Sequence, residues 1–288
     1  MIKRVARLFD KVQNDSEVVK WIRKFSASNR NFAVLKISGA SLSKFPEDIC
    51  EDLAILSKLD LDVPVIYGWG NDLTRKLKDN GLDTVMHHSG VRVTRECDLP
   101  YLNEIAEEHG NIIIDGLNKR GIPAKIVKGI FKAEMKQLDG VDYKHYTGEI
   151  TSTKTDVILD YLSKSIIPVI PPIGFSESGE IMNINADSAA KELVLKLMPE
   201  KYIILTNTNG VLDTSEKVIS EISVSEDYQR LVEEKIVNEG MKLKIDEAKE
   251  IIEEVSSKRK EIAVQIANPT DILSELFTDA GRGTYIRQ

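Results

Sequence analysis

Two lysines near the start of a predicted C-terminal helix have the positions expected of a phosphate-binding site. The segment "NEGMKLKIDEAKEII" places Gly240 just before the helix and Lys242 and Lys244 in its first turn. Positive side chains are locally unfavourable there, because the N-terminal end of a helix is the positive end of its dipole. A bound polyanion would benefit from both the lysines and the dipole. The alternative is a pair of solvated surface lysines, at a cost of roughly a few tenths of a kcal/mol.

Three polar residues precede another predicted helix and form a second candidate cluster. In "NINADSAAKEL", Asn183, Asn185 and Asp187 alternate along an extended stretch, so that all three can face the same side. A purely structural interpretation makes Asp187 the N-cap of the following helix. Capping explains Asp187 and one asparagine, whereas two asparagines in the same register favour a binding site.

Three turns follow buried strands, which is where open α/β sheets bind their ligands. They are "KISGAS" with Lys36 and Gly39, "VIYGWGND" with Gly68, Trp69 and Gly70, and "LTNTNG" with Thr206 and Gly210. None of them has the spacing of a Walker A loop or of the GxGxxG dinucleotide fingerprint. Each turn taken alone is equally compatible with a plain connection between two elements.

The remaining polar residues point to less specific chemistry. Arg92 in "GVRVT" is suited to holding a carboxylate through two parallel hydrogen bonds, although an isolated arginine is more often a surface residue. His87 and His88 are adjacent on a predicted strand and face opposite sides, so they do not form a metal site by themselves. We find no Ser-His-Asp or Cys-His arrangement in the sequence, and we predict no metal ligands.

Strands and helices alternate along most of the chain and must position these residues. Buried strands are predicted at "FAVLKI", "VPVIYG", "IIPVIPPIG", "KYIILT" and "EIAVQIA", with helices between them. This alternation predicts a mainly parallel, doubly wound α/β sheet. The segment "NGLDTVMHHSGVRVT" indicates a hairpin, and "IPAKIVKGIFKAEM" with "YTGEITST" indicates a β-rich patch.

The first 30 residues are predicted to form two helices. Apolar residues recur at helical spacing, namely Ile2, Val5, Phe9 and Val12 in the first helix and Val18, Ile22 and Phe25 in the second. Trp21 adds further apolar surface to the second helix. The extension either packs on the core of its own chain or docks on another subunit.

The composition excludes several classes of protein. Of 288 residues, 42% are hydrophobic and 30% are charged, and the net charge of −7 argues against a nucleic-acid or anionic-membrane partner. Cys50 and Cys97 are distant and lack metal-site spacing, as is typical of a reducing cytosol. No apolar run approaches the roughly 18 residues of a membrane helix. We therefore expect a soluble cytoplasmic protein.

Taken together and in order, these segments resemble the amino-acid kinase family, and within it the N-acetylglutamate kinases. The matching segments are "LKISGASL", "VIYGWGNDL", "GVRVT", "GEIMNINADSAA", "LTNTNGVLD", "GMKLKIDEA" and "ELFTDAGRGTYI". The N-terminal part is most similar to the kinase domain of bifunctional N-acetylglutamate synthase/kinases. The resemblance implies a helical extension in residues 1–30 and an α/β/α sandwich with a mainly parallel open sheet in residues 31–288. It also implies an acyl amino acid lobe over about 31–198 and a nucleotide lobe over about 199–288.

The same resemblance implies ATP-dependent phosphorylation of the side-chain carboxylate of N-acetyl-L-glutamate, a step of arginine biosynthesis. Lys36 and Lys244 would stabilise the transferred phosphoryl group from opposite lobes, with Asp187 holding both lysines. Mg²⁺ would be carried mostly by the phosphates of ATP. The implied substrate-binding residues are Gly39, Gly68, Trp69, Gly70, Arg92, Asn183 and Asn185, and the implied nucleotide-binding residues are Thr206, Gly210, Met241 and Lys242.

Two positions depart from the family pattern. Ser38 replaces the first of the two glycines that usually follow the first lysine, and Trp69 lies where the family has a small residue. Trp69 either turns into the core, reshapes the pocket for another acyl group, or blocks the pocket. Because the charged residues of the implied site are all present, we expect an active kinase.

A function of a different class is a non-catalytic module that senses arginine and assembles subunits. In related proteins an N-terminal helical extension interlaces subunits, and arginine binds near the last helix and the closing strand. Here these features correspond to the helix around Trp21 and to residues 275–284, so a homo-oligomer and inhibition by arginine are both expected. A kinase for another acyl amino acid, such as a succinylated glutamate, is a further alternative.

Overall fold

The computed structural model describes residues 15–27, 32–234, 236–237, 239–258 and 261–288, and strands and helices alternate along them. The strands are β1 (Ala33–Ile37), β2 (Val65–Tyr67), β3 (Val85–Met86), β4 (Arg92–Val93), β5 (Ala124–Ile126), β6 (Phe131–Met135), β7 (Gly148–Thr153), β8 (Ile167–Ile170), β9 (Ile173–Phe175), β10 (Ile181–Asn183), β11 (Lys201–Leu205), β12 (Glu221–Ser223), β13 (Ala263–Ala267) and β14 (Thr284–Arg287). The helices are α1 (Asp15–Ala27), α2 (Gly39–Lys44), α3 (Pro46–Ser57), α4 (Gly70–Asp79), α5 (Leu99–Asn118), α6 (Thr155–Ser163), α7 (Ala186–Leu197), α8 (Tyr228–Glu233), α9 (Glu239–Ser257) and α10 (Ile272–Phe277).

Eight of these strands form the central sheet, in the order β12-β14-β13-β11-β1-β2-β8-β5. Neighbouring strands are parallel except for the antiparallel pair β13 and β14. The strands β1 and β11 lie in the middle and are buried along their whole length, as expected for a parallel sheet covered on both faces. The mainly parallel sheet predicted from the sequence is confirmed.

Helices cover both faces of the sheet. Alternate residues of each strand point to opposite faces, so they enter two separate hydrophobic cores. Leu35 and Ile37 of β1 pack in the core that includes residues of α1, α3, α5 and α10. Val34 packs in the other core, with residues of α6, α7 and α9. Lys36 has the same parity as Val34, so its side chain is directed to the face that α7 and α9 cover.

The smaller strands form the predicted hairpin and β-rich patch. The strands β3 and β4 pair antiparallel, and a four-stranded sheet has the order β10-β9-β6-β7. The segment "IIPVIPPIG", predicted as one buried strand, is instead divided between β8 in the central sheet and β9 in the smaller sheet. The break falls at Pro171 and Pro172, which lack the N–H group that a central strand needs.

The N-terminal helix α1 packs on its own chain. Val18, Trp21 and Phe25 are buried in the first core, and the Phe25 ring lies 4.5 Å from the Phe32 ring and 5.7 Å from the Phe277 ring, measured between centroids. The interpretation that this helix contributes to its own core is therefore confirmed. The first predicted helix, with Ile2, Val5, Phe9 and Val12, lies outside the described residues.

None of the helices within the described ranges combines the length and the apolar character that crossing a bilayer requires.

Candidate active site

A cavity of about 340 Å³ lies at the carboxyl ends of β1 and β2, beside the start of α7. Ligands of open α/β sheets bind at this edge. Ten residues that the sequence singled out for catalysis or substrate binding border the cavity, namely Lys36, Gly39, Gly68, Trp69, Gly70, Arg92, Asn183, Asn185, Asp187 and Lys244. The structure thus brings together residues that are far apart in the chain.

Two lysines converge on one buried carboxylate in this cavity. Lys36 Nζ forms an ion pair with Asp187 Oδ1, and Lys244 Nζ lies 3.6 Å from Asp187 Oδ2. Lys36 is 3% exposed and Asp187 is 8% exposed, so water screens these charges weakly. We refer to Lys36, Asp187 and Lys244 as the lysine cluster. It carries two positive charges and one negative charge when all three groups are ionised.

Burial and pairing act in opposite directions on the pKa values of the lysine cluster. Burial lowers the pKa of Lys36, and the neighbouring Asp187 carboxylate only partly offsets this effect. Burial alone would raise the pKa of Asp187, but the charges of Lys36 and Lys244 outweigh it and hold the pKa below its usual value. Asp187 is therefore an ionised carboxylate that orients two lysines and is unsuited to accepting a proton.

The helix start next to Asp187 differs from the predicted arrangement. Asn185 is the N-cap of α7, and its side chain accepts hydrogen bonds from the backbone N–H groups of Asp187 at 2.8 Å and Ser188 at 3.1 Å. Asp187 is therefore neither the N-cap nor part of an extended stretch, since it lies in the first turn of the helix. Capping by Asn185 leaves the Asp187 carboxylate available to the lysines.

The C-terminal helix also begins earlier than predicted. Helix α9 starts at Glu239, so Gly240 lies inside it and Lys244 lies beyond its first turn. Lys242 is in the first turn, but its Nζ pairs with Asp246 Oδ2 at 2.8 Å and Lys242 does not border the cavity. The direct partner of Lys244 is thus the Asp187 carboxylate rather than a helix end.

The turns after β1 and β2 approach each other closely at Gly39. A Cβ atom on Gly39 would lie 2.8 Å from Gly68 O and 2.8 Å from Trp69 Cα, which is closer than real Cβ contacts allow. Gly70 has a φ of +37°, which also favours glycine. Ser38, which departs from the family pattern, caps α2 by accepting a hydrogen bond from Ser41 N at 3.1 Å.

Trp69 packs into the core next to these turns. The residue is 5% exposed, belongs to the first hydrophobic core, and lies edge-to-face with Tyr67 at 6.3 Å between ring centroids. The cavity remains beside it, and Trp69 forms part of its border. Of the three interpretations of Trp69, the one in which the side chain turns into the core agrees with this packing.

His109 on α5 supports the turn after β2 and was not recognised from the sequence. Its Nδ1 is 3.1 Å from Gly68 O, and its Nε2 is 3.3 Å from Asp72 Oδ2. Tyr67 donates a hydrogen bond from its hydroxyl to Ala106 O at 2.6 Å, which ties the same turn to α5. The only sequence signal was a histidine among the apolar positions of a helix, and that pattern does not identify a partner.

Arg92 joins the β3–β4 hairpin to the start of α4. Its Nη1 donates to Thr84 Oγ1 at 3.1 Å, and its Nη2 donates to Gly70 O at 3.2 Å and Thr74 Oγ1 at 2.7 Å. A guanidinium has five N–H donors, so these bonds within the described residues leave Arg92 donors for a ligand. Asn183 is held by a hydrogen bond from its Nδ2 to Thr94 Oγ1 at 2.8 Å.

The four residues predicted to bind the nucleotide lie outside the cavity. Thr206 and Gly210 are in the turn after β11, which pairs with β1, and Ser41 Oγ donates to Asn207 Oδ1 of that turn at 3.2 Å. Gly210 has a φ of +148°. Met241 and Lys242 lie at the start of α9. The turn after β11 is therefore adjacent to the cavity, on the side of β1 opposite β2.

No group of three or more His, Cys, Asp or Glu side chains in the described parts of the chain is arranged to hold a metal ion.

A second, larger cavity of about 600 Å³ lies between α1 and the sheet edge. Trp21, Glu200, Glu261, Asp279 and Arg287 are among the residues that line it. Trp21 donates a hydrogen bond from Nε1 to Asp279 Oδ1 at 2.9 Å. Tyr285 and Lys24 also line it, so the cavity contains aromatic, acidic and basic side chains.

Two buried groups support the wall of this second cavity. Lys201 Nζ donates to Glu275 O at 2.5 Å and to Thr278 O at 2.6 Å, and lies 4.2 Å from the Trp21 ring centroid. The Glu275 carboxylate accepts hydrogen bonds from Arg282 N at 2.6 Å and Gly283 N at 3.0 Å. Burial lowers the pKa of Lys201 to about 7 and raises the pKa of Glu275 to about 7.

Comparisons with known proteins identify the family of this chain. Residues 31–268 match the amino acid kinase family. Acetylglutamate kinase from Xanthomonas campestris pv. campestris is 33% identical over 276 residues, covering 94% of this chain, and the chain spans only 63% of that relative's length. Acetylglutamate kinase from Trichlorobacter lovleyi is 30% identical, with 97% of this chain and 98% of the relative covered.

Among solved structures, N-acetylglutamate synthase from Neisseria gonorrhoeae, complexed with coenzyme A and N-acetyl-glutamate, has a TM-score of 0.82 and 25% sequence identity. The similarity covers 96% of this chain and 63% of the synthase chain. The amino-acid kinase fold expected from the motifs is confirmed. On its sequence match and its structure, the chain belongs to the amino acid kinase family.

Proposed function

We propose that this chain transfers the γ-phosphoryl group of ATP to the side-chain carboxylate of N-acetyl-L-glutamate. The observation that carries the proposal is the convergence of Lys36 and Lys244 on Asp187, beside a cavity that Arg92 also borders. Relatives named acetylglutamate kinase, one of them similar over nearly its whole length, support the choice of acceptor.

The chemistry of this transfer needs cations at the reacting groups and does not need a base. The side-chain carboxylate of a glutamate is ionised at neutral pH, so no proton has to be removed before it attacks. A bond forms between a carboxylate oxygen and the γ-phosphorus, the bond from phosphorus to the β,γ-bridging oxygen breaks, and ADP leaves. Lys36 and Lys244 stabilise the charge on the equatorial and leaving oxygens, and Asp187 keeps both lysines in position.

The other residues of the cavity hold the acceptor. Arg92 binds a carboxylate of the substrate through the donors that it does not use within the protein. Asn183 and Asn185 supply amide groups next to it, and the backbone at Gly39, Gly68, Trp69 and Gly70 borders the reacting groups.

The nucleotide lies over the turn after β11 and the start of α9. Thr206, Gly210, Met241 and Lys242 form this part of the site, and Lys242 exchanges its Asp246 partner for a phosphate oxygen. Mg²⁺ would be carried by the phosphates of the nucleotide and would supply positive charge next to the β- and γ-phosphates. Cys50 and Cys97 are both unpaired, as is typical of proteins in a reducing compartment. We therefore propose a cytoplasmic location for this activity.

The proposal is tested by ADP release from MgATP in a coupled assay with a panel of acceptors. N-acetyl-L-glutamate should support turnover, and N-succinyl-L-glutamate should be a poorer acceptor. A preference for the succinylated compound would mean that the natural acceptor is another acyl amino acid. No ADP release with any acceptor would contradict kinase activity.

A second candidate function is regulation by arginine. The observation that favours it is the second cavity, which Trp21, Glu200, Glu261 and Asp279 line. A guanidinium would take the place of Lys24 at Glu200 and of Lys20 at Asp279, two ion pairs that are each 2.7 Å long. We propose that arginine binds there, close to Glu275 and the stretch up to Thr284, and that the chain forms a homo-oligomer through its N-terminal helices. Arginine that binds without changing turnover would show that the chain binds arginine but is not regulated by it. A monomer in analytical sedimentation would refute the oligomer.

A further inference from the structure

Glu247 is a buried acidic residue of α9 for which the proposed transfer reaction has no role. It lies three residues after Lys244, so the two side chains share one face of the helix. This face packs against α7, and Glu247 is only 9% exposed. Glu247 also lines a cavity of about 300 Å³ that shares Thr147, Ile184 and Asn185 with the candidate acceptor cavity.

Charged and titratable groups face Glu247 from each element around it. Glu192 and the ion pair of Lys136 with Glu149 line the same cavity as Glu247. The groups that act on its ionisation are Lys36 of β1, Asp187 and Lys191 of α7, Tyr202 of β11 and Lys244 of α9. The three lysines already have other carboxylate partners, since Lys36 and Lys244 pair with Asp187 and Lys191 donates to Glu250 at 2.6 Å. Glu247 is thus a fourth ionisable group next to the lysine cluster, and no described residue is its dedicated counterion.

The protonation of Glu247 changes the net charge beside the phosphate-binding lysines. Burial, reinforced by the Asp187 carboxylate, raises the pKa of Glu247 to about 8, although the lysines act in the opposite direction. With Glu247 neutral, the two lysines exceed Asp187 by one positive charge. With Glu247 ionised, two positive and two negative charges cancel. The neutral form therefore favours a bound polyanion.

We propose that Glu247 is a positioning residue that takes up a proton when nucleotide phosphates bind to the lysine cluster, so that the cluster keeps its net positive charge. The proton comes from the solvent and is bound by the Glu247 carboxylate, with no covalent bond made or broken. The phosphates bring further negative charge near Glu247, which disfavours its ionised form still more. This inference rests on the proposed nucleotide binding.

The test is calorimetric titration of the full chain with Mg²⁺ and a non-hydrolysable ATP analogue, in buffers of different ionisation enthalpy. At a pH close to the pKa of Glu247, about half of the free molecules have a neutral Glu247, so binding should take up as much as about half a proton. Uptake should decline towards neutral pH, because Glu247 is already protonated there. Uptake that does not change between neutral pH and the pKa would overturn the proposal.

Two variants identify the group that takes up the proton. Glu247→Gln cannot titrate and should lose this uptake. Glu254→Gln removes an exposed carboxylate of the same helix, paired with Lys258 at 3.0 Å, and should retain it. If Glu247→Gln takes up as many protons as the parent, another group such as Lys36 is responsible and the proposal fails, while nucleotide binding stands. If the parent does not bind the analogue, both this proposal and the proposed function fail.

Discussion

Lys36 at the end of β1 and Asp187 in the first turn of α7 form a buried ion pair that joins the central sheet to the helix layer on one of its faces. Such a pair is costly to break, because the remaining charge is left buried without a partner. Asp187→Asn should therefore reduce kcat by orders of magnitude and lower stability by about 3–5 kcal/mol. Steady-state kinetics and chemical unfolding check both effects. Near-parental kcat would show that Asp187 does not position the lysines.

Both lysines should matter for the rate, and Lys36→Ala should in addition lower stability because it breaks the buried pair with Asp187. Lys36→Ala and Lys244→Ala should each lower kcat by about 10²–10³, since each removes a cation that stabilises the transferring phosphoryl group. Lys249→Ala is a matched control, because Lys249 lies on the same helix as Lys244 and pairs with Glu253 at 3.9 Å. Activity of either cluster variant within a few-fold of the control would mean that other residues stabilise the transfer.

Arg92→Ala should act mainly on the acceptor. We expect the KM for N-acetyl-L-glutamate to rise at least about tenfold, because a charge-assisted hydrogen bond contributes about 1.5–3 kcal/mol. The KM for ATP should change little. Arg75→Ala, at an exposed arginine of α4, serves as the control. An effect confined to the KM for ATP would refute the assignment of Arg92 to the acceptor.

Replacing Trp69 distinguishes a packing role of its side chain from obstruction of the cavity. If its side chain is a core residue, Trp69→Ala should destabilise the protein by about 3–5 kcal/mol through the cavity left behind. Urea unfolding measures this loss, and kinetics under folding conditions measure activity. Unchanged stability together with a large gain in kcat would instead identify Trp69 as a residue that blocks the pocket.

Glu275 should make stability fall as the pH rises. Its pKa is raised from the ordinary 4.5 to about 7 in the folded state by burial, so between these values the folded state binds more protons than the unfolded state. The free energy of unfolding should decrease over this window by up to roughly 3 kcal/mol from this group. Glu275→Gln should show a flatter dependence, measured by unfolding at several pH values. The same slope in parent and variant would contradict the assignment.

Much of the fold followed from local patterns. The apolar runs predicted the parallel strands, and the period of two along β1 already separates Lys36 from its neighbours Leu35 and Ile37. The division of "IIPVIPPIG" into β8 and β9 was missed, because a proline pair indicates a break but not the sheet that each half joins.

The site was predictable where residue type limits the possible roles, as for Lys36, Arg92 and Lys244. Asp187 was expected to hold both lysines, and it contacts both of them. The alternative in which Asp187 caps α7 was wrong, since both residue types are good N-caps and only the backbone decides that Asn185 is the cap. Glu247 and His109 were missed because their significance depends on burial between helices. In the sequence, Glu247 is one acidic residue in a charged helix, and the packing of α7 against α9 cannot be inferred from that helix alone.

The most direct test of the central claim is trapping of an acyl phosphate with hydroxylamine in the presence of MgATP. We predict a hydroxamate with N-acetyl-L-glutamate and none with N-acetyl-L-glutamine, which lacks the side-chain carboxylate that attacks phosphorus. Lys36→Ala should form it far more slowly than the parent. If the parent releases ADP but yields no hydroxamate, or yields the same hydroxamate signal with both acceptors, phosphorylation of the side-chain carboxylate is contradicted.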